Sequence, residues 1–248
     1  MKITFLGTSH GVPSAVRYSS SLMIEVDGSV YLVDGGAPVA DLLTRRGVPF
    51  TSVRAVFATH MHSDHTAGFP LFFSLSNWYY KDTDYDIFLP DTVDTDAMRA
   101  LLCAMDGGMD NEARLRFHPV REGVLYSDDR LTVTAYRTNH MMDDRTSYAY
   151  RLEAAGGPTL CVTGDLHHGD AADFPAAFRD EPSDAIVCEM AHFPWETALG
   201  VLAPCPTRQV FLTHIGPGNA DWIEGKIPPL PPLPFALHVP DDGDSYVI

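Results

Sequence analysis

Three histidines and an aspartate stand within six residues, His60-Met61-His62-Ser63-Asp64-His65. Imidazole nitrogens and carboxylate oxygens are donors that suit zinc, and also manganese or iron. The cluster follows an apolar run, Val53 to Ala58, that reads as a buried strand, and it precedes a helical stretch. On an extended segment, side chains two apart point the same way. His60 and His62 can therefore grip one ion, while Asp64 and His65, beyond the turn, face a second. A metal pair needs more than four ligands, and the sequence offers further donors at strand ends, where a rigid scaffold can hold them. His140 follows the strand expected over Leu131 to Arg137, Asp165 follows Thr159 to Thr163 in Thr163-Gly164-Asp165, and His214 closes Val210 to Thr213. A single histidine at a strand end is more often an ordinary polar residue; three such residues downstream of one motif form a candidate set.

The elements that must position these residues alternate short β-type runs with turns and helices. Strands are expected over Ile3 to Leu6, Ser21 to Val26 and Val30 to Val33, the last two joined by the Asp27-Gly28 turn signal. A helix follows over Val39 to Arg45, and another over the aromatic stretch Phe69 to Tyr80, whose rings are read as core. The second half adds strands over Ile87 to Leu89, Leu131 to Arg137, Tyr148 to Leu152, Thr159 to Thr163, Ala185 to Cys188, Val210 to Thr213 and Phe235 to Val239. It also adds helices over Asp94 to Met105 and Ala171 to Arg179. Two sheets flanked by helices absorb that many strands, which points to an α/β (α+β) sandwich and away from a doubly wound parallel sheet. The proline run Pro228 to Pro234 cannot join a central sheet and reads as a surface crossover into the last strand.

Composition narrows the function classes. At 248 residues the chain is expected to form one domain, 1–248, with a sizeable core. Hydrophobic residues make up 45% and the mean hydropathy is −0.06. No run approaches the roughly 18 apolar residues of a membrane span. The start MKITFLG reads as a strand and not as a secretory signal, so a cytoplasmic address is expected. Cys103, Cys161, Cys188 and Cys205 form no C-x-x-C pair and read as buried reduced thiols. The 17 Lys and Arg against 33 Asp and Glu leave a net charge of −16, which repels polyanions. The densest basic clusters, Arg45-Arg46 and Arg114, Arg116, Arg121, are diluted by acids, so a long nucleic acid is a disfavoured partner.

With these residues in view, the chain resembles the metallo-β-lactamase superfamily, and within it the branch of RNase Z and small-molecule phosphodiesterases. The matching pieces are Phe5-Leu6-Gly7-Thr8-Ser9 with Pro13-Ser14, Leu32-Val33-Asp34-Gly35-Gly36, Thr59 through Gly68, His140, Gly164-Asp165 and Leu212-Thr213-His214. The resemblance implies a four-layer αββα sandwich with two divalent ions, zinc foremost, at one edge of the sheets. It implies His60, His62 and His140 on the first ion, Asp64, His65 and His214 on the second, Asp165 bridging them, and Asp34 orienting a ligand from behind. Members of the branch are often dimers, so a homodimer is a possible assembly.

Two departures bear on substrate. RNase Z enzymes carry a tRNA-binding arm between the ligands matching His140 and Asp165, and here a separation of 165 − 140 = 25, nearly filled by two strands and the Gly156-Gly157 turn, leaves no room for it. RNase Z also has a His-Glu-Ala-Thr motif whose histidine is thought to donate a proton; this chain has Cys188-Glu189-Met190-Ala191-His192. The expectation is a phosphodiesterase on a small substrate, in which the ions activate water, Asp64 ligates and orients the nucleophile, and His192 protonates the leaving oxygen. His10 reads as a solvent-exposed loop histidine, and His167 and His168 as groups behind the site or on the surface. The same site would equally serve a thioester, lactone, sulfate ester or β-lactam hydrolase. A non-catalytic metal-binding or sensory module is the reading from another class, disfavoured by the intact ligand set, and a flavin-linked oxidoreductase is disfavoured because no flavin domain follows His214.

Overall fold

The structure is a computed structural model that describes residues 1–12, 14–109, 111–141, 145–219, 222 and 230–248. The first half of the chain runs β1 (Lys2–Gly7), β2 (Ser21–Val26), β3 (Ser29–Val33), α1 (Val39–Arg45), β4 (Val53–Phe57), α2 (Ser63–Thr66), α3 (Phe69–Trp78), β5 (Tyr85–Leu89), α4 (Thr92–Asp106) and β6 (Leu115–Pro119). The second runs β7 (Gly123–Ser127), β8 (Leu131–Thr138), β9 (Ser147–Ala154), β10 (Thr159–Val162), α5 (Ala176–Asp180), β11 (Ser183–Met190), α6 (Trp195–Leu202), β12 (Thr207–Ile215), β13 (Ala236–His238) and β14 (Ser245–Val247).

Among the described residues the strands form two mixed sheets of seven, in the orders β14-β1-β2-β3-β4-β5-β6 and β13-β12-β11-β10-β9-β8-β7. One core fills the space between the sheets, where Phe57 packs on Phe88 at 5.2 Å and on Tyr150 at 5.7 Å. A second lies under α1, α3 and α4 and a third under α5 and α6, which gives the expected αββα layering. Burying each large apolar side chain stabilises by roughly 1.5–3 kcal/mol, and the alternation of β8, buried at Leu131, Val133 and Ala135, keeps its apolar face inward.

The helices end where local chemistry tells them to. The Asp91 carboxylate accepts from the Val93 and Asp94 amides and Gly107, at φ 75°, closes the other end of α4. Pro70 in the first turn starts α3.

Several expectations need correction. The aromatic helix stops at Trp78, and Trp78, Tyr79 and Tyr80 are 38%, 79% and 41% exposed, so only Phe69, Phe72 and Phe73 of that stretch are core. The helix expected from Ala171 begins at Ala176, because Pro175 fixes its entry and Ala171 sits at φ 49°. β6, β7, β14 and α6 were not anticipated. Cys103 is exposed, while Cys161, Cys188 and Cys205 are buried as expected and all four are free. Burial pushes the Cys161 thiol up to about 12 and Cys205 to about 11, so neither is a nucleophile. Pro228 and Pro229 lie outside the described residues; Leu230 to Pro234 have no regular structure and lead into β13, as a crossover should. Among the described residues no helix is long and apolar enough to cross a membrane.

Candidate metal centre

Parallel pairing of β3 with β4 and of β10 with β11 and β12 brings their carboxyl ends to one edge of the sandwich. Every residue of the candidate set lies at or just beyond a strand end on that edge. His60 and His62 leave β4, Asp64 and His65 lie on α2, His140 follows β8, Asp165 follows β10, and His214 sits near the end of β12. The structure gathers all seven.

They form overlapping groups. His60, His62, His140 and Asp165 make the first, and Asp64, His65 and His214 the second. In the first, His62 Nδ1 lies 3.0 Å from His60 Nε2 and 3.2 Å from His140 Nε2. Asp165 Oδ2 is 3.7 Å from His60 Nε2 and 3.6 Å from His140 Nε2. In the second, His65 Nε2 is 3.6 Å and His214 Nε2 3.8 Å from Asp64 Oδ2. Asp165 reaches both groups, with Oδ1 at 3.3 Å from His65 Nε2 and Oδ2 at 3.2 Å from His214 Nε2. Ligand atoms about 2.1 Å from a tetrahedral ion stand roughly 3.4 Å apart, so the spacing fits. Two buried atoms, His65 Nε2 and Asp165 Oδ1, have no hydrogen-bond partner. Such atoms cost about 1–3 kcal/mol each unless something engages them, and a divalent cation is what both can ligate.

A second layer orients these donors. Asp34 Oδ2 lies 2.7 Å from His65 Nδ1 and also accepts from Thr59 Oγ1 at 2.9 Å, while Oδ1 accepts from the Thr59 amide at 2.7 Å. Asp34 thus sits behind the site as the resemblance implied. Ser20 Oγ lies 2.7 Å from His214 Nδ1, and His140 Nδ1 donates to the Leu166 carbonyl at 3.3 Å. These bonds leave the opposite ring nitrogen of each histidine to the donor cluster, where it could ligate a cation. Backbone strain serves the same end: Asp34 and His214 hold φ of 59° and 52°, a region uncommon for non-glycine residues and concentrated at functional sites. Gly164 at φ 58° passes so close to Thr59 that a Cβ would lie 2.8 Å from the threonine Cβ, which is why glycine precedes Asp165. A Cβ at Gly36 would overlap the Asp64 carbonyl.

The electrostatics follow the grouping. Burial, followed by the charge of His65, lowers His60 well below its ordinary value; burial also lowers His62 and His140. Imidazoles held neutral keep their lone pairs for a metal. Burial would lower His65 too, but Asp165 and Asp34 outweigh it and hold it well above. Burial would raise Asp165, and His214 and His65 outweigh it and hold it well below.

His192 lies beside the centre, its ring 4.6 Å from that of His140. Its Nδ1 is 2.9 Å from both Glu189 oxygens, and Glu189 is itself anchored by the Leu166, Ala191 and His192 amides. Burial lowers His192, but Glu189 outweighs it and the net shift is upward. With Asp165 and His214 it makes a third overlapping group. His168 is exposed and His167 pairs with Asp170, so neither enters the centre. His10 does not fit the expectation of a free surface residue: it is half-buried, with its ring 6.3 Å from His214. Ser20 and the orienting role of Glu189 were missed as well. Glu189 stood inside the flagged segment Cys188 to His192, whereas nothing in the sequence distinguishes Ser20.

Comparison with known proteins adds a family. Residues 1–194 match the family described as Anti-Pycsar protein Apyc1. Ribonuclease Z of Microcystis aeruginosa is 31% identical over 191 residues, covering 71% of this chain and 58% of that protein. The chain thus spans between 50% and 58% of the length of two such curated relatives. Among solved structures, the metallo-β-lactamase fold protein YhfI from Bacillus subtilis superposes with TM-score 0.76 at 19% identity, covering 99% of this chain and 98% of that one. Human tRNase Z, short form, gives 0.74 at 18%, covering 100% and 99%.

Proposed function

From the premise that the chain belongs to the Anti-Pycsar protein Apyc1 family, in the RNase Z-like branch of the metallo-β-lactamase superfamily, we propose that it is a dinuclear metal-dependent phosphodiesterase acting on a small substrate. The observation that carries this reading is the pair of ligand groups joined by Asp165, with His65 Nε2 and Asp165 Oδ1 buried and without hydrogen-bond partners. His60, His62 and His140 would hold one divalent ion and Asp64, His65 and His214 the other, zinc foremost with manganese or iron as alternatives. When bound, such ions lower the pKa of water toward about 7 and neutralise phosphoryl oxygens.

The protein's own groups do the rest. Asp165, fixed by Gly164, holds the two groups in register. Asp64, 14% exposed, orients the attacking water. Glu189 clamps Nδ1 of His192 and favours its protonated form, leaving Nε2 to deliver a proton to the leaving oxygen. Both sheets contribute to this one site, so residues 1–248 act as a single catalytic domain.

Small substrates are favoured by what the basic residues do. Arg17 is buried against Asp241, Arg145 pairs with Asp94 at 2.7 Å, and Arg116 holds Asp84 at 2.6 Å and Asp86 at 3.0 Å. These side chains do not form a phosphate track, and β9, a tight turn and β10 occupy the segment before Asp165. A second reading, cleavage of an RNA phosphodiester, is favoured by the name ribonuclease Z of the curated relatives. The test is hydrolysis of bis-p-nitrophenyl phosphate by zinc- or manganese-loaded protein, beside precursor tRNA and a thioester, lactone, sulfate ester and β-lactam panel. Cleavage of the small diester with intact tRNA supports the proposal. A metal-loaded protein active only on another ester class, or inert on all, contradicts it.

A further inference from the structure

The loop after β1 is fastened at several points. Ser9 bridges both Ser19 and Ile215, the residue after His214, its amide donates to the Tyr18 carbonyl at 2.8 Å, and Ser20 Oγ donates to its carbonyl at 3.4 Å. Arg17, 8% exposed, donates to Thr8 Oγ1 at 2.6 Å and to the Pro240 carbonyl at 2.8 Å, and pairs with Asp241. Asp242 accepts from Thr8 Oγ1 at 2.7 Å and from the Tyr18 amide at 2.5 Å. The next residue after Ser9 therefore emerges at a fixed place, against His214.

That residue is His10. Its ring stands nearly perpendicular to His214, at 87° and 6.3 Å. A Cβ built on the following Gly11 would lie 3.2 Å from Asp64 Oδ2, so the loop lies directly over that carboxylate. The Val12 amide donates to His10 Nδ1 at 3.2 Å. A nitrogen that accepts a hydrogen bond carries no proton, so the proton of the neutral ring is on Nε2. Nε2 has no hydrogen-bond partner among the described residues. His192 lies 5.8 Å from His214 by ring centroid, so two imidazoles outside the proposed pair of ligand groups border the His214 position.

We propose that His10 is a substrate-contacting residue whose Nε2–H donates a hydrogen bond to an oxygen of the phosphoryl group on the Asp64 and His214 side of the site. This rests on the phosphodiesterase reading and assigns it a recognition residue that the metal-ligand motif does not include. The loop then offers the phosphoryl group a neutral donor held by backbone.

Three measurements on the full chain test it. Long-range proton–nitrogen NMR of the zinc-loaded protein is expected to show His10 Nδ1 unprotonated and Nε2 protonated. His10→Phe keeps a ring and removes the donor; His10→Gln keeps a donor and removes the ring. His10→Phe is expected to weaken inorganic phosphate binding and lower kcat/KM for bis-p-nitrophenyl phosphate by about 10- to 100-fold, with metal content and melting temperature unchanged. His10→Gln is expected to stay within about threefold of the parent on the same hydrogen-bond argument. The inference is overturned by a proton on Nδ1, by metal loss in His10→Phe, by equal damage in both variants, or by unchanged phosphate binding in both. Absence of phosphate binding by the parent counts against it as well. A parent that binds phosphate through His10 yet cleaves no diester would leave this contact standing and remove the phosphodiesterase reading.

Discussion

At the end of the sandwich away from the metal centre, the Asp128 carboxylate is fully engaged. Oδ2 accepts from Tyr31 of one sheet at 2.7 Å and Tyr126 of the other at 2.8 Å, and Oδ1 accepts from the Arg130 and Leu131 amides, both at 2.8 Å. Asp86 nearby takes two bonds of 3.0 Å from Arg116 and one of 2.7 Å from His118. Asp165, at the other end, is only 3% exposed, and its Oδ1 faces His65 Nε2 with neither atom hydrogen-bonded. The fold can therefore saturate a carboxylate where it serves only to join the sheets. Where it leaves one unsatisfied beside imidazoles, the open oxygen is one that a bound cation would engage.

Substitutions at the two ends should separate these roles. The largest effect is expected from Asp165→Asn: turnover falls by at least about a thousandfold and bound metal drops, while the metal-free variant melts no lower than the metal-free parent. A lower melting temperature without metal would make Asp165 a structural residue and erase the contrast. His192→Ala should come next, with kcat down about a hundredfold or more and metal content retained. Metal loss in that variant would move His192 from proton donor to ligand in the third group. Asp34→Asn, which removes the acceptor behind His65, should weaken metal binding by about 10- to 100-fold, read by competition with a chelator.

The smallest effect is expected at the far end. Asp128→Asn should cost about 1–2 kcal/mol at neutral pH, the modest figure reflecting its partial exposure, with metal content and turnover unchanged. Its pH dependence has a definite sign. Burial raises the Asp128 carboxyl, but hydrogen bonds from Tyr31 and the Arg130 amide outweigh it and the net shift is downward. A depressed carboxylate contributes fully above its unfolded value of about 3.9 and loses that contribution as pH falls through the folded one. The gap in melting temperature between parent and Asp128→Asn should thus narrow below about pH 4. A gap that widens in acid would contradict the assignment.

What was legible in the sequence follows the range of the signal. His60, His62, Asp64 and His65 share a few residues, and their chemistry could be read from type and spacing alone. His140, Asp165 and His214 could be found because each closes an apolar strand, and parallel pairing then carries them to one edge. β14 was not legible, because its three residues are a strand only by pairing Val247 with Lys2 at the far end of the chain. β7 lacks a buried face, its residues being exposed or half-exposed, so no alternation marks it. The second layer depends on position in space: Ser20 reaches His214 across 194 residues, and His10 is placed by a loop whose anchors, Asp241 and Asp242, come from the other end of the sequence. The exposure of Trp78 to Tyr80 escaped because aromatic density does not tell the buried start of the helix from its exposed last residue and the turn beyond.

The most direct test of the account is the metal content of the purified chain, measured by elemental analysis together with bis-p-nitrophenyl phosphate hydrolysis by the parent and by Asp64→Ala. The account predicts close to two divalent ions per chain and diester cleavage that the variant loses; a parent that binds no metal under zinc or manganese loading would contradict it.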